Sequence, residues 1–176
     1  MVLTDDVQLV KVKQPWADML VRGIKDCENR TWNLTPSSGF PVWTVIVASK
    51  SKPNRTLMND LAKRLELASP GGQARHLLVD NYTASADNPT PDEYELGVIV
   101  GMIRVRGCYA SGSLPWPTVW HNPPDIAWMI DDALKFENPI ELPTDDKFQT
   151  RVGLVNRPQY KGAIEREYWT CMHARD

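Results

Sequence analysis

The sequence of 176 residues has the composition of a globular protein, with 42% hydrophobic and 24% charged residues. A chain of this length can bury roughly 70% of its unfolded surface, so its core needs no disulfide or metal. The formal net charge of −2 excludes a surface that is basic overall, and the longest apolar runs are far too short to span a bilayer. We therefore expect one domain over residues 1–176 and no membrane partner.

The positions of the charged residues and of the cysteines further limit the surface, the redox state and the location that we expect for this protein. Residues 1–55 carry 8 Lys and Arg against 5 Asp and Glu, which predicts a local basic face in the N-terminal third. The three cysteines, Cys27, Cys108 and Cys171, are scattered and form no CxxC pair, so we expect reduced thiols, no metal and no cofactor. The N-terminus lacks a basic start followed by an apolar stretch, which predicts no secretory signal and a cytoplasmic or nuclear location.

The hydrophobic pattern predicts short strands around two helices. A strand at 7–13 precedes a short helix that begins at Pro15 and ends near Gly23, a common helix stop. The clearest helix, 53–68, places leucines at i, i+4 and i+8. Further strands are predicted, in chain order, at 26–32, 41–48, 97–106, 126–130, 133–136 and 167–172.

Two segments lack a clear pattern. Residues 69–95 are interpreted as a long loop or insertion with one helical turn at 73–79, and 111–125 as irregular chain rich in Pro and Trp. The strands at 126–136 form either a hairpin or two separate short strands. Several short strands with few helices are typical of a small barrel, so the predicted fold class is α+β, a partly closed β-barrel with short rim helices.

One group of aromatic and charged residues is expected to share a cleft. Trp16 lies in the first helix, Lys25 follows its end, and Glu28, Arg30 and Trp32 alternate along the next strand. These side chains suit a flat polar ligand, because indoles stack on it while charged groups bind its edge or a phosphate. The alternative is a surface Glu28–Arg30 pair beside core tryptophans, which the pattern alone favours.

The stretch VKQPWADMLVRGIKDCENRTW closely resembles the opening signature of the ASCH family, in the PUA-like superfamily that also holds the EVE and YTH domains. The family pattern is Q-P-W-A, an apolar helix, G-x-K, then E-x-R and often a Trp. The matching residues are Gln14, Pro15, Trp16, Ala17, Gly23, Lys25, Glu28, Asn29, Arg30 and Trp32. Looser likeness extends over residues 7–143, whereas 144–176 has diverged.

The resemblance implies a PUA-like barrel whose cleft binds RNA or DNA, with RNA favoured, and accommodates a modified nucleobase. The candidate nucleic-acid-binding residues are Gln14, Trp16, Arg22, Lys25, Glu28, Arg30, Trp32, Ser49, Lys50, Lys52, Trp116 and Trp120.

A second interpretation of the same residues is an enzyme. Some small bacterial ASCH proteins are amidohydrolases that remove acetyl from N4-acetylcytidine with a Lys near the position of Lys25, a Thr and a Glu. Their Thr aligns with Glu28, so this chain departs from that pattern. If the chain is an amidohydrolase or a nuclease, the candidate catalytic residues are Lys25 and Glu28, with Thr31 as another partner for Lys25. A third interpretation is a protein-interaction module within a regulatory assembly.

Two further groups flank the expected cleft. Ser49, Lys50 and Lys52 lie between a strand and a helix, which predicts either a phosphate grip on the same side as Lys25 or a solubilising loop. The indoles of Trp116 and Trp120 either cover the cleft as a lid or plug the end of the barrel.

The remaining conspicuous residues are assigned to structure. Trp128 and Trp169 follow strand patterns and are expected in the core. The pairs Asp131–Asp132 and Asp145–Asp146 are interpreted as solvated acids in turns rather than metal ligands. Strict alternation places Lys25 and Glu28 on opposite faces, but the turn after Gly23 can break that alternation, so their contact stays open.

Overall fold

The computed structural model describes residues 3–4, 7–68, 89–143, 147–148 and 150–175. Its strands, in chain order, are β1 (Gln8–Val12), β2 (Cys27–Arg30), β3 (Val42–Ala48), β4 (Val98–Tyr109), β5 (Ile126–Glu141) and β6 (Arg151–Gly153). Its α-helices are α1 (Trp16–Val21), α2 (Arg55–Ala68) and α3 (Lys161–His173), with two single 3-10 turns, Leu154–Asn156 and Pro158–Tyr160, ahead of α3.

The strands form one mixed sheet in the order β2-β5-β4-β3-β1-β6. Strands β1 and β3 pair in parallel, and the other neighbours are antiparallel. The long β4–β5 ladder is interrupted by three register shifts, which strengthen the local twist of the sheet. The result is a half-barrel with a few short helices, which confirms the predicted α+β fold class.

Side chains bridge the two edges of the curved sheet. The Arg30 guanidinium on β2 donates to the Lys11 carbonyl on β1 over 3.1 Å. The Arg151 guanidinium on β6 lies 4.1 Å from the centroid of the Trp32 ring, which follows β2. We call this bridge, made by Lys11, Arg30, Trp32 and Arg151, the seam. It completes the barrel without a backbone ladder between β2 and β1 or β6 in the described residues.

Apolar side chains fill the inside of the barrel and both outer layers. The interior cluster includes Ile46, Ile103 and Trp128, and helix α1 seals it against β4. A Cβ at Gly101 of β4 would lie 2.9 Å from the Val21 side chain, so glycine permits this close approach. Helix α3 covers a second cluster and α2 covers a third.

Most of the predicted elements are confirmed. Helix α2 buries Leu61 and Leu65, as the leucine spacing predicts. Helix α1 ends ahead of Gly23, whose φ of +71° is a left-handed conformation that favours glycine. Trp128 is fully buried, as expected.

Two predicted elements at the C-terminal side are wrong. Residues 126–136 form neither a hairpin nor two strands, because β5 runs unbroken from Ile126 to Glu141. Residues 167–172 are part of α3, not a strand. Its Trp169 was expected in the core but is 46% exposed, since the buried face of α3 carries Ile164 and Tyr168 instead.

The acidic pair Asp131–Asp132 was expected in a turn but lies within β5. Asp131 accepts from the Arg104 guanidinium at 2.8 Å, and Asp132 accepts from Arg175 at 2.9 Å. These two ion pairs compensate the carboxylates, so the strand continues through them. The short strand β6 was not predicted at all.

Some predictions concern residues outside the described ranges, namely the helical turn at 73–79 and the pair Asp145–Asp146. Among the described residues, no helix is both long enough and apolar enough to cross a membrane.

Candidate functional site

A cleft of about 570 Å³ opens beside α1, β2 and α2. This volume falls within the roughly 300–1,000 Å³ that is typical of small-molecule sites. The cleft is lined by Lys13, Trp16, Lys25, Glu28, Asn29, Leu57, Asp60, Arg64, Trp120, Asn122 and Asp125.

The floor of the cleft is a buried ion cluster. The Lys25 ammonium lies 2.8 Å from one Glu28 carboxylate oxygen, and the Arg30 guanidinium lies 3.0 Å from the other. The Lys25 and Glu28 side chains are less than 10% exposed. Lys25 also donates to the Cys27 carbonyl. One carboxylate therefore holds two cations, and the cluster carries a net positive charge.

The turn after α1 brings Lys25 to this position. The backbone N–H groups of Ile24 and Lys25 both donate to the Met19 carbonyl over 3.0 Å, beyond the left-handed Gly23. This tight turn interrupts the alternation of side chains before β2 begins. Lys25 and Glu28 are therefore in contact, an outcome that the sequence left open.

Two tryptophans form the apolar wall of the cleft. The rings of Trp16 and Trp120 meet edge to face, with centroids 6.3 Å apart. Trp120 is 1% exposed and packs into the core cluster beneath α2, whereas Trp16 is only half-buried. Trp120 thus packs in the outer cluster beneath α2 and also lines the cleft, while Trp16 offers an accessible indole.

The Pro- and Trp-rich segment 111–125 is fastened to β2. Asp26, just ahead of β2, accepts hydrogen bonds from the Trp116 indole at 3.1 Å and from the Thr118 hydroxyl. Asn29 donates to the Trp120 carbonyl and accepts from the Asn122 backbone N–H, both over 2.8 Å. These contacts fix the wall of the cleft relative to its floor.

Helix α2 holds the same segment from the other side through Arg64. Its guanidinium donates to the Val119 carbonyl at 2.7 Å, to the Asn122 side chain at 2.5 Å and to Asp60 at 3.2 Å. The segment is therefore held between β2 and α2.

The charges that line the cleft are balanced. Three cations, Lys13, Lys25 and Arg64, face three carboxylates. Lys13 is exposed at the rim and has no ion-pair partner among the described residues. The lining thus favours a polar ligand with hydrogen-bonding edges over a bare polyanion.

Four predicted site residues meet in the cleft, and they are Trp16, Lys25, Glu28 and Trp120. Arg30 lies behind Glu28, with its guanidinium carbon 5.9 Å from the centroid of the Trp128 ring. Trp32 lies in the seam, where its ring meets that of Trp128 at 4.6 Å, so it does not line the cleft with Trp16.

Other predicted site residues have contacts elsewhere. The buried amide of Gln14 donates to the Glu95 carbonyl and accepts from the Asp18 N–H. Arg22 forms an ion pair with Asp18 at 3.2 Å. The predicted lid residue Trp116 is held by Asp26 and does not line the cleft.

The predicted phosphate grip also lies apart from the cleft lining. Lys52 forms an exposed ion pair with Asp92 at 2.7 Å. The side chain of Lys50 lies against Gly97, and Ser49 is buried. The structure therefore does not bring these three residues to the floor or wall described above. Thr31, the other proposed partner for Lys25, is exposed.

Sequence reasoning missed the other seven lining residues, which are Lys13, Asn29, Leu57, Asp60, Arg64, Asn122 and Asp125. Asn29 matches the family signature, so its position carried a usable signal. Arg64 and Asn122 are 58 positions apart, and only the tertiary fold joins them.

The buried thiol beneath the cleft has a strongly altered acidity. Burial raises the pKa of Cys27 from 9.0 to about 12, against the opposing effect of the nearby Lys25 charge. Cys27 is therefore a neutral, unreactive core group at physiological pH. No group of three or more His, Cys, Asp or Glu residues suited to a metal ion occurs in the described part of the chain.

Comparison with known proteins gives two kinds of similarity. Activating signal cointegrator 1 of Homo sapiens is 30% identical over 135 residues, and the Mus musculus protein of that name is 28% identical over 135 residues. Each match covers 76% of this chain but 19% of the relative, so the chain spans about a fifth of the length of the curated relatives it matches. No family model matches.

The solved structure of ASCH from Zymomonas mobilis is also similar. It shares 10% sequence identity at a TM-score of 0.49, over 91% of this chain and 95% of that one.

Proposed function

Because this chain belongs to the ASCH family, we propose that it binds RNA and that the cleft receives one base of the strand. The single observation that carries the proposal is the buried ion cluster opposite an accessible indole. Recognition of single-stranded RNA relies on bases that stack on aromatic rings while polar groups bind their edges. The Trp16 indole and the Lys25–Glu28 floor supply both kinds of group in one cleft.

The hydrogen bonds already made inside the cleft limit the ligand edge. The Lys25 ammonium has three N–H donors, of which Glu28 and the Cys27 carbonyl take two. Asn29 uses one of its two amide N–H donors on the Trp120 carbonyl. The floor therefore keeps N–H donors on Lys25 and Asn29 beside free lone pairs on the Glu28 carboxylate. A base edge that carries both an acceptor and a donor fits these groups.

The charge state of Lys25 separates binding from hydrolysis. A hydrolytic lysine acts as a neutral amine, whereas Glu28 stabilises the charged ammonium at 2.8 Å. Glu28 also stands where the related amidohydrolases have a Thr. We therefore propose that Lys25 is a fixed cation for binding, and that the protein does not deacetylate N4-acetylcytidine.

Affinity for single-stranded RNA, measured by fluorescence anisotropy, tests this proposal. Trp16→Ala should weaken binding about tenfold, the loss expected for one base–aromatic stack, while Trp16→Phe retains most of it. No binding of any RNA by the wild-type protein would overturn the proposal.

A nucleoside turnover assay tests the enzyme alternative directly. Purified protein and a Lys25→Ala control are incubated with N4-acetylcytidine, and the release of acetate is followed. Equal background from both proteins is expected. Turnover well above the control would make Lys25 a catalytic residue and would contradict the binding role.

A further inference from the structure

We propose that the seam, together with Lys13, binds the phosphodiester backbone of the RNA strand whose base enters the cleft. This inference rests on the proposed function and extends it from one base to the path of the strand. Its ligand class is a chain of phosphodiesters, and the contacts are sequence-independent.

The seam concentrates positive charge on a protein that is acidic overall. Its two guanidinium groups, with Lys13 and Lys25, bring four cations to one region, while the whole chain carries a formal charge of −2. The Lys11 ammonium is not among them, because it donates to the Phe148 carbonyl and lies over the Phe148 ring. Within the described ranges, Glu28 is the one carboxylate in ion-pair contact with these cations. The local excess is therefore about three positive charges. A surplus of this size attracts an anionic partner.

The exposed members of this group are available to a ligand. Lys13 and Arg151 are exposed, and neither forms an ion pair with a described residue. The Arg151 guanidinium lies over the Trp32 ring at 4.1 Å. Such a contact restrains the side chain while its N–H groups stay free to donate. Arginine held in this way is well suited to a phosphate, because its fork of donors matches two phosphate oxygens.

The seam is also continuous with the cleft. Glu28 joins them, because one of its oxygens contacts Lys25 in the cleft and the other contacts Arg30 in the seam. Arg30 is 14% exposed, and its Nε atom is buried without a hydrogen-bond partner. Lys13 belongs to the cleft rim and follows β1, the strand that carries Lys11. A strand leaving the cleft thus meets the seam directly.

Contacts with phosphates make the affinity for RNA depend on the salt concentration. For single-stranded nucleic acid, each lost phosphate contact reduces the slope of log affinity against log salt by about 0.7. The Lys13→Ala/Arg151→Ala double variant should therefore lower the slope for a single-stranded RNA by about 1.4. Arg151→Lys keeps the charge and should restore most of the slope that Arg151→Ala loses.

The matched control is Lys161→Ala/Arg106→Ala, which removes the same two charges from α3 and β4, away from the cleft lining and the seam. Its salt slope should change by less than about 0.3. Thermal melting of each variant confirms that it is folded. An equal fall in slope for both double variants would show a general charge effect and overturn the inference.

The two proposals fail in different ways. If wild-type protein binds RNA and Trp16→Ala weakens it, but the seam variants keep the wild-type slope, the backbone path is wrong and the base site stands. If wild-type protein binds no RNA at any salt concentration, both proposals are overturned.

Discussion

Glu28 is the carboxylate that compensates the charges of Lys25 and Arg30 in the site. It is buried, and each of its carboxylate oxygens contacts a different cation. Removing one member of a buried ion pair leaves an uncompensated charge, which costs about 3–5 kcal/mol. We expect Glu28→Gln to lower the free energy of unfolding by about 3 kcal/mol, because Lys25 and Arg30 then lose their common partner.

A double-mutant cycle checks the origin of that loss. Lys25→Met removes one of the two stranded cations, so the Lys25→Met/Glu28→Gln protein should lose less stability than the sum of the single variants. Urea unfolding followed by circular dichroism measures the difference. Strict additivity would mean that the two side chains do not stabilise each other.

Cys27 gives the fold a defined response to alkaline pH. Burial raises the pKa of this thiol to about 12 in the folded protein, from an ordinary 9.0. Between these values the unfolded chain releases a proton that the folded protein keeps, so rising pH favours unfolding. This group alone should reduce the free energy of unfolding by up to about 1.4 kcal/mol per pH unit above pH 9.

The variant Cys27→Ala separates this effect from other alkaline titrations. It should be less stable at neutral pH, because it leaves a small cavity, but its stability should fall less steeply from pH 9 to 11. Cys171→Ala, at a half-buried thiol, is the matched control. A wild-type slope in Cys27→Ala would show that other groups dominate the response.

Among the elements, α2 shapes the cleft through one side chain. Arg64 donates to the Val119 carbonyl and to the Asn122 side chain. These hydrogen bonds hold the segment 111–125 next to β2. Hydrogen bonds to a charged group contribute about 1.5–3 kcal/mol. Arg64→Ala should therefore speed hydrogen exchange of the Asn122 amide at least tenfold, since that amide is bonded to Asn29.

Asp60→Asn is the control for the contacts between Arg64 and the segment 111–125. It weakens the partner of the Arg64 Nε atom but leaves the two contacts to the segment in place. Exchange at Asn122 should then stay within about threefold of wild type. If both variants loosen Asn122 equally, the helix as a whole rather than the guanidinium holds the segment.

Elements whose apolar residues repeat with one clear period could be predicted from the sequence. Elements that are stabilised by residues far away in the chain could not. The leucines of α2 mark a helix face without any tertiary information. In β5 the pair Asp131–Asp132 resembles a turn, and only the arginines from β4 and the end of the chain make it a strand. For α3, the alternation of Tyr168 with polar neighbours imitates a strand, although the buried spacing from Ile164 is helical.

The same distinction applies to the site. Lys25 and Glu28 are three residues apart, and the local turn that joins them left their contact open in the sequence. The expected partnership of Trp16 and Trp32 did not follow, because Trp32 turns into the seam to pack on Trp128. Arg64 reaches the cleft from α2 and Lys13 from the end of β1, so their positions depend on tertiary packing that no local pattern encodes.

At the scale of the whole molecule, the seam makes one barrel from an open sheet. Strand β2, at one edge of the sheet, is joined to β1 by the Arg30 hydrogen bond, and Trp32, which follows β2, is joined to the opposite edge strand β6 by Arg151. An open sheet exposes two unpaired edges, and side-chain bridges of this kind bring them together while leaving room for a ligand. The same residues therefore serve closure of the barrel and, in our proposal, the path of the RNA backbone.

Closure by the seam predicts an unequal effect of two tryptophan substitutions. Trp32 packs edge to face on Trp128 at 4.6 Å and under Arg151, whereas Trp169 is 46% exposed on α3. Trp32→Leu should lower the free energy of unfolding by about 1–2 kcal/mol, since it removes ring contacts from both sheet edges. Trp169→Leu should change it by less than about 0.5 kcal/mol. Guanidinium unfolding followed by circular dichroism compares them, and equal losses would mean that the seam does not hold the barrel closed.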